Sequence, residues 1–325
     1  MIQIKANWHN AKYDFYLIKN KILSYTNKKN KLTIKINKKN IINITNKIKR
    51  ILQYIEDHID NILIGTPSDL REHINNIQNI DSHVYKGGKK ASDINRLLSH
   101  IFKDMCYNSS NLDKKDIVFN KFEFTTSLNI NTCPYCNRNY IYTTSPNKLK
   151  NEIDHFFPTT HYPYLAVSFH NLIPSCKFCN QISIKGSYDT HKNNVKNPYE
   201  IQDKDFKFTY FIQSIDLTQK RTYSNSKCLE LENLVNIQFK RSIPSNLDCF
   251  KLEELYQKHS DIVMELICKK MHYPKTYIQD LVKLGFSKEE IHRFLFCNYL
   301  KKDELHKRPL SKLIKDISEE LHLIL

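Results

Sequence analysis

Two Cys-x-x-Cys pairs, Cys133/Cys136 and Cys176/Cys179, carry the clearest chemistry in this sequence. Each pair turns tightly enough to present two sulfurs, and four thiolates close the tetrahedron that Zn²⁺ prefers. Such a site leaves no position open to substrate, so the zinc is expected to be structural. Cys133-Pro134-Tyr135-Cys136 alone also fits a dithiol redox motif. The second pair, and the lack of a βαβ pattern around the first, argue against that. Between the pairs lie Glu152-Ile153-Asp154-His155-Phe156-Phe157-Pro158 and Asn171-Leu172, and Asn180 follows Cys179. A carboxylate is a hard oxygen ligand suited to Mg²⁺. A neutral imidazole beside it can take a proton from water near pH 7. An Asn further on can hold that ring by a side-chain hydrogen bond. A second oxygen ligand on the following helix would complete the protein's share of the coordination, because Mg²⁺ keeps waters and takes phosphate as well.

These groups need elements to hold them. Residues 140–143 read as a strand, Ser145-Pro146-Asn147 turns the chain, and residues 152–157 return, which predicts a β-hairpin ending at Pro158. A short helix is expected from Lys177. Upstream, residues 32–36 alternate as a strand does. Ile44, Ile48, Ile51, Leu52, Ile55, Ile59 and Ile62 recur at helical spacing. Gly65-Thr66-Pro67-Ser68 stops that helix and caps another near 68–79. Ser92 caps a third, which carries Ile94, Leu97, Leu98, Ile101 and Phe102. Residues 107–132 look irregular, with a strand expected at 117–124. Downstream, 201–240 shows no clear pattern and the chain turns helical from Leu252. Ser287-Lys288-Glu289-Glu290 is a capping box, and Pro309 opens a last helix. Three regions result: a basic segment and helical region over 1–132, a central module over 133–200, and a mixed linker and helical domain over 201–325.

The 325 residues carry 50 Lys+Arg against 34 Asp+Glu, a formal excess of +16. Residues 1–50 hold 13 of the basic residues and one acid, Asp14. That makes the segment a candidate phosphate-contacting surface, although AT-rich codons would favour the same lysines. With 40% hydrophobic and 11% aromatic residues the chain can bury a core, which excludes wholesale disorder. No apolar run nears the roughly 18 residues of a membrane span, and the start has no signal-peptide character. A soluble, cytoplasmic protein is expected. In a reducing compartment, paired cysteines read as ligands before disulfides. The five scattered ones, Cys106, Cys228, Cys249, Cys268 and Cys297, are expected to be small buried hydrophobes.

The order Cys-x-x-Cys … Asp-His-x-x-Pro … Asn-Leu … Cys-x-x-Cys-Asn over residues 133–200 resembles the HNH endonuclease family, with its ββα-metal finger. The resemblance implies that Asp154 and Asn180 bind a catalytic Mg²⁺ or Mn²⁺. It implies that His155 is the general base, that Asn171 orients it, and that Cys133, Cys136, Cys176 and Cys179 hold zinc. The chain departs from the pattern in places. Asn180 stands where the family often has His, a variant the family also uses. Many relatives place a Lys three residues further on, where this chain has Ser183, with Lys185 two beyond. His191 is an alternative ligand or substrate contact. His170 is expected to point away from Asn171, and Asn197-Pro198-Tyr199 is similar to a motif-closing turn of HNH-like proteins. The tail from His306 to Leu313 resembles bacterial HNH proteins. The overall layout resembles HNH nucleases encoded beside an ATPase in Septu-type and retron-associated phage-defence systems. The chain has no G-x-x-x-x-G-K-[ST], so the ATPase would be a separate subunit.

The expected fold is therefore α+β and mostly helical, with a central zinc-braced ββα-metal module flanked by helical regions. The expected function is metal-dependent hydrolysis of phosphodiester bonds, in DNA before other nucleic acids, with no membrane involved. The amphipathic helices after Leu252 form a self-contained domain or dock an ATPase or a second copy of the chain. The alternative is a non-catalytic zinc-finger protein for nucleic-acid binding or assembly.

Overall fold

The computed structural model describes residues 1–6, 8–36, 41–82, 92–108, 118–145, 152–213, 229–273 and 275–323. The fold is α+β and mostly helical, with small two-stranded antiparallel sheets. The chain divides into two compact units, one of residues 4–130 and 142–200, the other of 1–3, 131–141 and 201–325. Among the described residues, no helix is long and apolar enough to cross a membrane.

The first unit opens with α1 (Phe15–Thr26), the strands β1 (Thr33–Lys35) and β2 (Ile41–Asn43), and the helices α2 (Asn46–Asp57), α3 (Ile59–Ile64) and α4 (Pro67–Ile80). The isoleucine repeat thus folds as two helices rather than one. The break falls at His58, whose backbone leaves helical geometry and whose ring nitrogen Nδ1 lies 2.8 Å from the Tyr54 carbonyl. Ile48, Ile51, Leu52 and Ile55 on α2 and Ile59, Ile62 and Leu63 on α3 all remain buried, so the apolar face survives the break. Within the expected capping stretch, Thr66 is the N-cap of α4. Thr66 Oγ1 accepts from the Asp69 amide at 3.3 Å, and the Asp69 carboxylate accepts from the Thr66 amide at 2.7 Å, with Pro67 in the first turn. Ser92 caps α5 (Asp93–Leu98) as expected, and a π-type turn, Ser99–Asp104, continues it.

Two strand expectations fail. Residues 118–124 form no strand, and α6 (Lys121–Ser127) lies there instead; residue 117 is outside the described set. Asn120 decides this, because its Oδ1 accepts from the amides of Phe122 and Glu123 at 3.1 and 3.2 Å, a helix N-cap. The hairpin between 140–143 and 152–157 is also absent. β3 (Glu152–His155) pairs instead with β4 (Leu172–Ser175), in the register Glu152↔Ser175, Ile153↔Pro174, Asp154↔Ile173 and His155↔Leu172. Tyr140 bridges Thr132. Burial explains the choice. Leu172 and Ile173 are wholly buried, whereas Tyr140 and Tyr142 are 44% and 48% exposed. Pairing β3 with the more apolar segment removes more surface from water. The short helix α7 (Lys177–Asn180) follows as expected, so β3, β4 and α7 run in ββα order.

An aromatic cluster fixes the chain between β3 and β4. Tyr13 donates to the Val167 carbonyl at 2.6 Å and meets Phe119 and Phe169 edge-on. Phe124 also meets Phe169, and Tyr107 stacks on Phe119. At roughly 1.5–3 kcal/mol for each large apolar side chain buried, this cluster is a substantial share of the unit's core.

The second unit contains a sheet of β5 (Lys207–Ile212) and β6 (Val235–Arg241). Its helices are α8 (Pro244–Phe250), α9 (Leu252–Tyr256), α10 (Ser260–His272), α11 (Lys275–Lys283), α12 (Lys288–Phe296) and α13 (Ser311–Glu320). The expected Ser287/Glu290 capping box opens α12. On α13, buried Lys312 reaches Asp316 and Asp203, each at 2.9 Å, and the other Asp316 oxygen accepts from the Phe208 amide at 3.0 Å. The helix is thereby tied to β5. Cys106 and Cys249 are buried as expected. Cys297 is exposed, because it ends α12 in the left-handed conformation, with φ at 49°. Cys268 is disulfide-bonded, contrary to expectation, and Cys228 lies outside the described residues.

Asn137 holds the Cys133/Cys136 turn within this unit. It is left-handed, with φ at 48°, and wholly buried. Its Nδ2 donates to Thr132 Oγ1 and the Leu305 carbonyl, both at 3.0 Å. Its Oδ1 accepts from the Lys312 amide at 3.0 Å and from Ser311 Oγ at 3.2 Å. Asn137→Ala orphans several of these groups at about 1–3 kcal/mol each. Thermal melting should show a loss of at least about 3 kcal/mol, and an unchanged melting temperature would contradict this account.

Candidate metal centre and candidate cleft

Each cysteine pair sits on a local turn that aims its sulfurs. The Asn137 amide donates to the Cys133 carbonyl at 2.7 Å, and the Arg138 amide lies 3.4 Å from Cys136 Sγ. Cys176 is the N-cap of α7, with the Cys179 amide 3.5 Å from its sulfur. All four cysteines are buried and none is in a disulfide. Their sulfurs lie within 4.8 Å of one another and could hold a zinc ion. A tetrahedral site with Zn–S near 2.3 Å needs sulfurs about 3.8 Å apart, so the donor set fits. Amides directed at the sulfurs are the partners such thiolates use.

β3 carries the second group of residues. Asp154, His155 and Asn180 line one cleft of about 210 Å³, together with Pro158, Thr159 and Gly186. Nε2 of His155 lies 3.0 Å from the Ala166 carbonyl, and its ring stands edge-on to Tyr107 at 4.4 Å. A carbonyl only accepts, so Nε2 carries the proton and Nδ1 keeps its lone pair. Burial pushes the imidazole down to about 3. The Ala166 contact works against this, and the charges of Lys185, Lys103 and Lys121 add to it. His155 is therefore neutral at physiological pH.

Asp154 is buried, and Lys185 Nζ donates to its Oδ1 at 2.8 Å and to the His155 carbonyl at 2.8 Å. Lys185 thus reaches the site from two residues beyond the position where the sequence pattern places a lysine. Asn180 Nδ2 donates to Glu152 Oε2 at 2.7 Å. Because Glu152 only accepts, this contact fixes the amide and turns its oxygen away from Glu152. Sequence reasoning gave Glu152 no role. The signal was its spacing, since residues two apart on a strand share a face. Asp154 Oδ2 and Asn180 Oδ1 are the oxygens suited to a hard divalent cation.

Asn171 does something other than what its position suggested. The His155 ring is held by Ala166, while wholly buried Asn171 grips the backbone beyond β3. Its Oδ1 accepts from the Phe157 amide at 2.6 Å, and its Nδ2 donates to the carbonyls of Leu165 and Phe157 at 2.8 and 3.2 Å. It shapes the loop that carries Ala166. His170 turns away as expected, with Nδ1 2.7 Å from the Gly65 carbonyl. His191 contacts Asn75 at 3.1 Å and is not among the residues lining the cleft. Asn197 donates to the His170 carbonyl at 2.9 Å and Tyr199 to the Leu172 carbonyl at 3.3 Å, so this turn clamps the start of β4.

The basic N-terminal segment is partly neutralised. Lys19 pairs with Asp60 at 2.6 Å, Lys29 with Glu56, and Lys47 with Asp81 at 3.8 Å. Counting charge along the sequence hid these pairs, because the acids, Glu56, Asp60 and Asp81, lie beyond residue 50.

No family model and no solved structure matches the chain. A Septu protein PtuB from Bacillus thuringiensis is 37% identical over 86 residues, or 26% of this chain and 33% of that protein. The chain thus spans about a third of the curated relative it matches.

Elemental analysis should return close to one zinc per chain. Cys176→Ser should lose both the metal and solubility, since structural zinc contributes on the order of 10 kcal/mol in small domains. Zinc-free protein with all four thiols freely reactive in the native state would contradict the assignment.

Proposed function

We propose that this protein is a metal-dependent HNH-type endonuclease that hydrolyses phosphodiester bonds in DNA. The observation that carries the reading is the shared cleft, where a neutral imidazole with an open Nδ1 stands beside a buried carboxylate and a fixed carboxamide. Asp154 and Asn180 would hold Mg²⁺ or Mn²⁺, which when bound offsets charge on the phosphate and on the leaving oxygen. His155 Nδ1 takes a proton from water as the oxygen attacks phosphorus in line. The bond to the 3′-oxygen breaks, that oxygen takes a proton from solvent, and His155 returns its own proton to solvent. The Ala166 carbonyl keeps the ring in the required tautomer, and Asn171 acts at one remove by holding the loop.

The likeness to a Septu protein supports a role as the nuclease subunit of a phage-defence system, acting with a separate ATPase. A second reading, a zinc-braced binding or assembly module without catalysis, is favoured by one contact. Lys185 Nζ lies 2.8 Å from Asp154 Oδ1 and gives that carboxylate a cationic partner within the protein.

The two readings part at His155. With any required partner and nucleotide supplied, the protein should nick plasmid DNA in Mg²⁺ or Mn²⁺. His155→Ala should lower the rate by about 10²–10⁴-fold, with zinc content and DNA affinity nearly unchanged. Asp154→Ala and Asn180→Ala should be partly rescued by excess Mn²⁺, and His155→Ala should not. If the wild type cuts neither double- nor single-stranded DNA nor RNA under these conditions, the binding-module reading replaces the enzyme.

A further inference from the structure

The chain that follows Asn180 makes a tight turn, and the turn holds an apolar side chain out in water. Ile182 is 95% exposed, the most of any large apolar residue among those described. The turn is braced. The amides of Ile184 and Gly186 both donate to the Gln181 carbonyl, at 3.1 and 2.9 Å. Gly186 takes φ at +42°, and a side chain there would stand 2.8 Å from both the Cα and the carbonyl oxygen of Ile182. Glycine therefore lets the chain close this near to Ile182. Both ends of the turn are anchored. Asn180 donates to Glu152 at 2.7 Å, and buried Lys185 donates to Asp154 at 2.8 Å. Ile182 is thus an aliphatic group carried at a fixed place between two residues that belong to the candidate site.

Ile182 also adjoins the cleft. It lines a second depression with Glu152, Lys177, Asn180, Gln181 and Ser183, and Asn180 lines the cleft as well, so the two meet at that side chain. A lone apolar residue on a surface is ordinary. One held rigidly at the edge of a candidate phosphodiester site is placed to touch whatever the site acts on. A protein partner would need about 800 Å² of this face, with an apolar centre, and the depression supplies one aliphatic side chain among polar neighbours. A DNA duplex asks for less. Single aliphatic side chains enter the minor groove and part neighbouring base pairs. We propose that Ile182 is such a wedge, which enters the minor groove beside the phosphate that is cut and partly unstacks one base step. The inference rests on the DNA-hydrolase reading of the cleft and adds a substrate preference to it. Pyrimidine–purine steps unstack most readily, so duplexes with such a step next to the cut are favoured. The choice is made through the deformability of the duplex, without hydrogen bonds to base edges.

A duplex carrying 2-aminopurine at TA steps reads this directly, because the analogue brightens when it loses a stacked neighbour. The full chain is bound to it with no divalent metal added, so that cleavage plays no part, and cutting is scored separately in Mg²⁺. The wild type should raise the fluorescence at saturation. Ile182→Ser should lose most of that rise and bind several-fold more weakly. Its plot of log affinity against log salt should keep the parent slope, since no phosphate contact is removed. Ile182→Leu keeps an aliphatic side chain and should keep the rise. The residue is exposed, so melting temperature and zinc content should stay at parent values in both variants. Absence of the rise with the wild type, or the parent rise in Ile182→Ser, overturns the wedge whether or not the wild type cuts DNA. Parent fluorescence and affinity in Ile182→Ser, with cleavage lowered only when a partner protein is supplied, would make Ile182 a protein contact instead. A rise that depends on Ile182, with a wild type that cuts nothing, leaves the wedge standing and removes the hydrolase reading.

Discussion

A carboxylate taken out of water must keep a cation beside it or give up its charge. Asp154 is 4% exposed, and the ammonium of Lys185, equally buried, answers it. Much of the local architecture follows from bringing that lysine back. The chain must reverse after α7, and it does so at Gly186, which has φ at +42°. A side chain there would stand 2.8 Å from the Ile182 backbone. The same ammonium takes the His155 carbonyl. The next carbonyl, of Phe156, accepts from Thr190 at 2.6 Å, and that of Phe157 accepts from Asn171. Three successive carbonyls are thus captured by side chains from residues 171, 185 and 190. Backbone groups leaving a strand need partners if they are buried, and here those partners fix the path on which His155 sits.

A buried ion pair is seldom the most stabilising choice, since an apolar pair of similar volume often does as well. Its retention here has a chemical reading. Lys185 gives the buried Asp154 carboxylate a cationic partner at 2.8 Å. His155 is treated in the opposite way, since its surroundings keep it uncharged.

The candidate site residues were more legible than the strands that carry them. The paired cysteines, Asp154, His155 and Asn180 could be picked out because their types are unusual together and their spacing is local. The capping residues Ser92 and Ser287 were readable because a cap acts over three residues. The partner of β3 was not readable, because the choice between residues 140–143 and Leu172–Ser175 turns on burial, which alternation alone does not reveal. The partner of Asn171 was hidden for a related reason. A buried carboxamide bonds to whichever backbone groups fall within reach, and those are fixed by the whole loop.

The division of the chain has a temporal consequence. Residues 131–141 belong with residues 201–325, whereas every residue of the other unit has been made once residue 200 is reached. During synthesis, at about 5–20 residues per second, the unit bearing Asp154 and His155 can assemble while the Cys133/Cys136 turn still waits for its own partners. Asn137 cannot form its bonds to Leu305, Ser311 and Lys312 until those residues leave the ribosome. The ribosome thus completes the framework of the cleft many seconds before the turn carrying the first two thiols can settle.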